Sequence, residues 1–187
     1  MKYRRSVAAL EIDFDGEAEA FLRDQWTQLA AQGHPLPEGS GPPHVSLAAG
    51  LGVGSSESVG NLEEAVRVSM EAAPEALAFE RFGTFPGEEQ VVYLAAVATP
   101  ELRRWHETLW PTATRALVGP IDYYAPANWV PHCTLRLGPG RAVEETIRWL
   151  DANCDLPIRA EVVRVTLRMY IDGKMTEVWR VDGARRA

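Results

Sequence analysis

The chain has 187 residues, a length that suits one domain or two small lobes sharing a core. Hydrophobic residues make up 46% and charged residues 24%, the balance of an ordinary globular protein. The formal net charge of −7 argues against broad, non-specific binding to polyanions such as long RNA, DNA or anionic membranes, although it leaves room for a local pocket that holds one phosphate. No apolar run approaches the ~20 residues of a membrane span, and the first residues show no signal-peptide pattern.

The chain contains two cysteines, Cys133 and Cys154, with no C-x-x-C spacing. Cys133 falls at a core-facing position of a predicted strand, which favours a reduced thiol and therefore a cytoplasmic location. Potential metal ligands do not recur at the short spacings of a metal site, so we expect neither a metal nor another cofactor.

Periodicity predicts the elements of the first half of the chain. In order, it predicts a strand over Ser6–Phe14, an amphipathic helix from Gly16 to Gly33, a Pro/Gly-rich loop, a strand from His44 to Leu51, a helix over Val59–Ala73 and a strand over Leu77–Phe85. A turn follows at Phe85–Glu89.

The same order then begins again. We predict a strand over Gln90–Thr99, a helix from about Glu101 to Leu109 whose extension past Pro111 to Leu117 stays open, a loop rich in Pro and aromatics, a strand ending at Leu137, a helix over Val143–Asn153, and two strands, Ile158–Tyr170 and Met175–Val181. Asp172-Gly173 is a hairpin-type turn signal between the last two strands.

One pentapeptide occurs twice, as Pro43-His44-Val45-Ser46-Leu47 and as Pro131-His132-Cys133-Thr134-Leu135. Its two histidines are 132 − 44 = 88 residues apart. The repeated element order around it predicts an internal duplication, with half-repeats 1–86 and 87–187 in a single domain. We therefore predict an α+β class: a duplicated bilobal fold with two mostly antiparallel sheets, helices on the outer faces and a central cleft lined by the motif strands.

Side chains at i and i+2 of a strand share one face, so His44 should project with Ser46, and His132 with Thr134 and Arg136. Because imidazole titrates near neutral pH, one histidine can accept a proton while the other donates one. Both hydroxyls can donate to phosphate oxygens, and Arg136 is open between a phosphate contact and a surface charge. This set suits phosphodiester chemistry without a metal. It suits acyl transfer less, because we expect no carboxylate-supported base on either strand face.

The copies His44-Val45-Ser46-Leu47 and His132-Cys133-Thr134-Leu135 resemble the paired H-x-(S/T)-x signature of the 2H phosphoesterase superfamily, which includes 2′,3′-cyclic-nucleotide phosphodiesterases and the so-called 2′-5′ RNA ligases. The resemblance extends over nearly the whole chain. It implies a bilobal fold, no metal cofactor, and reaction at a phosphodiester, commonly a 2′,3′-cyclic phosphate. It further implies that His44 and His132 are the acid/base pair and that Ser46 and Thr134 bind phosphate. Which histidine is the acid stays open.

The chain departs from the pattern of the family that it resembles at two places. Relatives often carry an aromatic residue shortly after the first motif, where this chain has Ala48-Ala49-Gly50, and many place an arginine five residues after the second histidine, whereas Arg136 follows at four. Three aromatics before the second motif could stack on a base or cover a core edge: Tyr123, Tyr124 and Trp129. We expect the two remaining histidines, His34 and His106, to face solvent.

The sequence leaves three functions open. The first is hydrolysis of a cyclic phosphodiester by water, on a nucleotide, an RNA end or a product of tRNA processing such as ADP-ribose 1″,2″-cyclic phosphate. The second is RNA ligation, which uses the same groups in reverse. The third is a nucleotide- or RNA-end-binding module without turnover. In each case we expect a monomer with no membrane partner.

Overall fold

In the computed structural model, residues 6–34, 36, 39, 41–85, 87, 90–138 and 142–183 are described. They form nine strands: β1 (Ser6–Phe14), β2 (His44–Gly50), β3 (Gly52–Val53), β4 (Ala76–Phe85), β5 (Val91–Ala96), β6 (Leu117–Val118), β7 (His132–Arg136), β8 (Ile158–Ile171) and β9 (Lys174–Asp182). They also form four α-helices: α1 (Gly16–Ala31), α2 (Ser56–Ser69), α3 (Pro100–Ala116) and α4 (Val143–Asn153).

Polar caps determine where three of the helices begin. The Asp15 carboxylate accepts the first free N–H groups of α1 at 2.9 Å, and Thr99 accepts the Leu102 N–H of α3 at 3.1 Å. Ser55 caps α2, which therefore begins three residues before the predicted start. Helix α3 continues through Pro111 to Ala116, so the longer of the two predicted extents is the observed one.

Strand β8 connects the whole sheet. Its residues 158–161 pair with β4, and its residues 162–171 pair with β1. The resulting seven-stranded sheet has the order β2-β1-β8-β4-β5-β7, with β9 also paired to β8, and every pairing within it is antiparallel. The predicted α+β class with antiparallel sheets is confirmed, and the two expected sheets share β8.

The two motif strands lie at opposite ends of this strand order, yet β2 packs against β7. The helices are exchanged between the halves: α1 packs on β7, and α3 packs on β2. Apolar side chains from both halves fill one core around these contacts. The sheet is therefore curved, so that the two copies of the pentapeptide lie against each other.

Several sequence expectations fall wholly or partly outside the described residues, namely the turns at 86–89 and 138–140 and much of the loop at 34–43. The half-repeat boundaries stay a prediction. None of the helices in the described part of the chain combines the length and apolarity needed to cross a membrane.

Candidate active site

The two motif histidines are anchored in the same way. Nδ1 of His44 lies 2.8 Å from the Pro42 carbonyl oxygen, and Nδ1 of His132 lies 2.7 Å from the Val130 carbonyl oxygen. A carbonyl can only accept, so each Nδ1 carries a proton and donates it to the residue two positions back. Each imidazole therefore keeps Nε2 as the nitrogen that can take part in chemistry.

The histidines are also close to one another. Sγ of Cys133, next to His132, accepts a hydrogen bond from the backbone N–H of His44, and burial raises the pKa of this thiol to about 12. Burial lowers the pKa of His132, the hydrogen bond to Val130 opposes that effect, and positive charge on His44 lowers the pKa further. The pairing of β2 with β7 thus brings the two imidazoles within electrostatic reach.

Two buried carboxylates lie beside the first motif. Across the β1–β2 pairing, Glu11 is opposite Ser46 and Asp13 is opposite His44. The Glu11 carboxylate lies 3.4 Å from Nε2 of His44. The expectation that no carboxylate supports a motif histidine was therefore wrong. The strand alternation that places His44 and Ser46 on one face says nothing about what the neighbouring strand contributes.

These carboxylates belong to a network that β8 completes. The Arg168 guanidinium donates to Glu11 at 2.7 Å and to both oxygens of Asp13 at 2.6–2.7 Å. Tyr170 donates to Glu11 at 2.9 Å, and Thr166 donates to Asp13 at 2.7 Å. Burial alone would lower the pKa of Arg168, but the hydrogen bonds and charges of Asp13 and Glu11 raise it overall.

The second motif has aromatic neighbours instead. Across the β5–β7 pairing, Tyr93 is opposite Thr134 and Ala95 is opposite His132. The ring of Phe85 lies edge-on to His132 at 4.8 Å and stacks on Tyr93 at 4.2 Å. His132 is thus packed in a largely apolar environment, the physical cause of its lowered pKa.

The two motif hydroxyls differ in burial, and so do the two nearby tyrosines. Ser46 is buried and is hydrogen-bonded to the Tyr124 hydroxyl, whereas Thr134 is half-buried. Tyr124 is half-buried and packs against the core, and burial raises its pKa. Tyr123 is 47% exposed and lies edge-on to Phe85 at 5.1 Å, so its ring is the accessible aromatic surface near His132.

Trp129 does not match the predicted stacking role. It is 4% exposed, its indole N–H donates to the Ser46 carbonyl at 2.9 Å, and one face stacks on His106 at 3.9 Å. A ring buried to this degree has no exposed face on which a base could stack. The other expected solvent-facing histidine, His34, is buried as well and lies against Thr146. Both histidine expectations were wrong, because the loops and helices that cover them come from distant parts of the chain.

Arg136 is not aligned with the motif as the strand alternation predicts. The β5–β7 register shifts between Val92 and Tyr93, which makes a bulge in β7 between Thr134 and Arg136 and breaks the i, i+2 relation. Arg136 is 1% exposed and donates to the Gln90 side chain at 2.9 Å. A phosphate contact by Arg136 stays a prediction, and its buried position does not favour it.

Sequence reasoning missed the residues around the motifs: Glu11, Asp13, Arg168, Tyr170, Phe85 and Tyr93. A signal was present, because charged residues in apolar strands are buried only when they are paired. β1 carries two acids at i and i+2, and β8 carries Arg168 and Tyr170 at the same spacing. Among the described residues, no three His, Cys, Asp or Glu side chains lie together as metal ligands.

Comparison with known proteins identifies the family of the chain. The family model of the 2′-5′ RNA ligase superfamily matches residues 15–174. The chain therefore belongs to the 2′-5′ RNA ligase superfamily, within the 2H phosphoesterases. A search of curated proteins found no match.

Solved structures show the same fold. Escherichia coli LigT in apo form is 19% identical, with a TM-score of 0.59 and coverage of 97% of this chain and 99% of that one. LigT complexed with 3′-AMP is 20% identical, with a TM-score of 0.58 and the same coverage. A protein described as a phosphoesterase is 19% identical, with a TM-score of 0.58 and coverage of 96% and 99%.

Proposed function

We propose that this protein hydrolyses a 2′,3′-cyclic phosphodiester on a nucleotide or an RNA end, without a metal. The observation that carries the proposal is the pair of identically anchored histidines, His44 and His132, each with a hydroxyl two residues further along its strand. Membership of the 2H phosphoesterases supports the reaction class. We further propose that it acts as a cytoplasmic monomer, in which the buried cysteines stay reduced.

In the proposed reaction, Nε2 of one imidazole takes a proton from water as the water oxygen attacks phosphorus. The bond from phosphorus to one ribose oxygen breaks, and Nε2–H of the other imidazole protonates that oxygen. The product is a phosphomonoester, and the two histidines regain their starting protonation by exchange with solvent. Ser46 and Thr134 donate to the non-bridging oxygens, where negative charge increases in the transition state.

The surroundings of the two motifs suggest how a nucleotide would lie. Tyr123, exposed beside Phe85 and His132, can stack on a base, and such contacts tolerate any base. The relative whose structure contains 3′-AMP supports a nucleotide-sized ligand for this fold. The net charge of −7 favours a mononucleotide or a short RNA end over a long polyanion.

The test is hydrolysis of the four 2′,3′-cyclic nucleotides in EDTA, followed by phosphorus NMR. We expect turnover in EDTA for the wild type and a loss of about 10²–10⁴-fold in both His44→Ala and His132→Ala, with the fold retained. The position of the phosphate in the product identifies the oxygen that leaves. A requirement for added metal, or full activity in either variant, would refute the two-histidine mechanism.

Two outcomes point to the alternatives. If the folded wild type leaves all four nucleotides intact but its melting temperature rises with 3′-AMP, the protein is a binding module. If RNA ends with a 2′,3′-cyclic phosphate are joined to a 5′-hydroxyl strand, the same histidines catalyse the reaction in reverse.

A further inference from the structure

An arginine on β4 projects from the same side of the sheet as the second motif. Ala95 of β5 is paired with His132 of β7 on one side and with Arg81 of β4 on the other, so the three residues form one row across three strands. Directly paired residues point to the same face of a sheet. Because neighbouring strands lie about 4.8 Å apart, the backbones of Arg81 and His132 are about 10 Å apart, with only the small side chain of Ala95 between them.

The next row on this face places a phenol beside the arginine. Gly83, Tyr93 and Thr134 are paired across the same three strands. A Cβ at Gly83 would lie 2.5 Å from Cζ and 2.7 Å from the hydroxyl oxygen of Tyr93. The glycine therefore leaves room for the Tyr93 ring, whose hydroxyl lies over β4, the strand of Arg81.

The Tyr93 hydroxyl is a neutral donor within electrostatic reach of Arg81. Burial raises the pKa of Tyr93 first, Tyr123 raises it further, and the positive charge of Arg81 opposes both. Among the described residues, no protein group hydrogen-bonds this hydroxyl. A phenol that keeps its proton can donate it to an anion, so the guanidinium and the hydroxyl form a pair of donors on one surface.

The charge of Arg81 is not offset by a nearby acid. Arg81 is exposed, and within the described ranges it forms no ion pair, not even with its neighbour Glu80, which lies in the bulge of β4. No carboxylate from the described part of the chain shifts the pKa of Tyr93 or of His132. An anion that approaches this surface therefore meets positive charge without local repulsion.

The corresponding row of the first half has the opposite character. It contains His44, Asp13 and Arg164, paired across β2, β1 and β8. There Asp13 and Asp182 lie 4.0 and 3.9 Å from Nε of the arginine. Of the two rows, the one through His132 therefore offers an anion the less compensated charge.

The chemistry of the proposed substrate leaves one position for a second anion on the same nucleoside. A 2′,3′-cyclic phosphate uses both the 2′ and the 3′ oxygen of the ribose, so the 5′ oxygen is the remaining hydroxyl position. A phosphate at that oxygen is present in a 5′-phosphorylated cyclic nucleotide and, as the internucleotide diester, at an RNA end longer than one nucleotide. A guanidinium can donate two hydrogen bonds to such a group.

We propose that Arg81 and the Tyr93 hydroxyl form a second phosphate subsite, which binds the phosphate on the 5′ oxygen of the nucleoside whose cyclic phosphate is opened. The inference rests on the proposed phosphodiester hydrolysis and names its substrate class, cyclic phosphates that also carry a 5′ phosphate. Arg81 and Tyr93 take no part in the proton transfers. They fix the position of the substrate through a group that does not react.

The first test compares three substrates: adenosine 2′,3′-cyclic phosphate, its 5′-phosphorylated form, and a diadenylate that ends in a 2′,3′-cyclic phosphate. In the wild type we expect kcat/KM to be about tenfold higher for the two substrates with a 5′ phosphate, mainly through a lower KM. Arg81→Gln should reduce this ratio to about one, and Arg81→Lys should keep part of it, because lysine retains the charge but not the paired donors. Arg67→Gln, which removes the same charge from an exposed position on α2, should leave the ratio intact.

The substrate with the larger gain identifies the source of the second phosphate. A larger gain for the 5′-phosphorylated mononucleotide indicates a terminal monoester, whereas a larger gain for the diadenylate indicates the internucleotide diester of an RNA end. Both results support the subsite.

The second test measures binding and needs no turnover. By calorimetry, the wild type should bind adenosine 3′,5′-bisphosphate about tenfold more tightly than 3′-AMP, and this preference should weaken as salt is added. Arg81→Gln should abolish the preference. Tyr93→Phe keeps the ring but removes the hydroxyl, and it should reduce the preference about threefold.

The outcomes separate this inference from the proposed function. If no substrate is hydrolysed but the wild type prefers the bisphosphate and Arg81→Gln does not, the proposed function fails and the subsite stands. If hydrolysis proceeds equally well with and without a 5′ phosphate, or the preference survives in Arg81→Gln, the subsite is refuted and the proposed function stands. If nothing is hydrolysed and neither nucleotide binds, both proposals fail.

Discussion

At the scale of single residues, one imidazole on α3 connects the second half of the chain to the first motif strand. His106 is buried, its Nε2 donates to the Leu47 carbonyl at 2.9 Å, and its ring stacks on Trp129. Burial lowers the pKa of His106 to about 4, against backbone hydrogen bonds that raise it. The ring is therefore neutral in the folded protein at neutral pH, whereas in the unfolded chain it titrates near about 6.5.

This difference predicts how stability changes with pH. Between pH 6.5 and about 4 the unfolded chain binds a proton at His106 that the folded chain does not, so stability falls as the pH falls through this window. The contribution is on the order of 3 kcal/mol. In urea unfolding at pH 7, 5.5 and 4.5, His106→Gln should lose stability less steeply than the wild type. His132 contributes in the same direction in both proteins and cancels in the comparison. Equal slopes would contradict the assignment.

A second prediction concerns the Ser46 hydroxyl, which is hydrogen-bonded to Tyr124. Tyr124→Phe removes the hydrogen bond to the Ser46 side chain. We expect the KM for a cyclic nucleotide to rise about fivefold, because the hydrogen bond that orients Ser46 contributes about 1 kcal/mol to the free energy of substrate binding. Tyr123→Phe removes the hydroxyl of an exposed ring and should leave KM and kcat unchanged. If Tyr124→Phe behaves like Tyr123→Phe, the proposed phosphate contact of Ser46 does not depend on its hydrogen bond to Tyr124.

At the scale of elements, local sequence patterns predicted most of the helices and strands. The bounds of β1 and α4 match the prediction, because the mostly apolar run of β1 ends just before the Asp15 helix cap and α4 keeps the spacing of an amphipathic helix. What the sequence could not predict is which helix covers which strand. α1 and α3 each pack on the motif strand of the other half, and nothing in the periodicity of either helix specifies its partner. Glu11 was missed for the same reason, since its contact with His44 depends on cross-strand register.

The exchanged packing is reinforced by two indole hydrogen bonds. Trp26 on α1 donates to the Thr134 carbonyl at 3.1 Å, and Trp129, before β7, donates to the Ser46 carbonyl at 2.9 Å. Each bond runs from one half of the chain to the motif strand of the other. Together they link β2 and β7, the strands that carry the two motif histidines.

Replacing these tryptophans by phenylalanine should therefore destabilise the protein. We expect Trp129→Phe to lower the free energy of unfolding by about 1–3 kcal/mol and Trp26→Phe, which is only half-buried, by about 1 kcal/mol. Trp179→Phe is the matched control, because among the described residues the Trp179 indole N–H has no hydrogen-bond partner. Urea titrations measure all three. If Trp179→Phe costs as much as Trp129→Phe, the effect comes from ring size and not from the hydrogen bond.

At the scale of the whole molecule, the two predicted half-repeats are not structurally independent. β8 lies in the predicted second half-repeat, yet most of its length pairs with β1 of the first. Without β8, β1 would be an edge strand whose backbone N–H and C=O groups on that side have no pairing strand. The proposed catalytic pair is divided in the same way, because His44 and His132 lie on strands from different halves of the chain.

The two half-repeats should therefore fold only together. We expect fragment 1–86 alone to show no cooperative thermal unfolding by circular dichroism, because it lacks the strand that covers its sheet. Mixed with fragment 87–187, it should regain cooperative unfolding and, if the proposed function holds, cyclic nucleotide hydrolysis. A mixture carrying His44→Ala in the first fragment should regain the unfolding transition but not the hydrolysis. A sharp transition in fragment 1–86 by itself would show that the first half folds independently. In that case β8 would pair with a first half that is already folded, and the two halves would not depend on each other for folding.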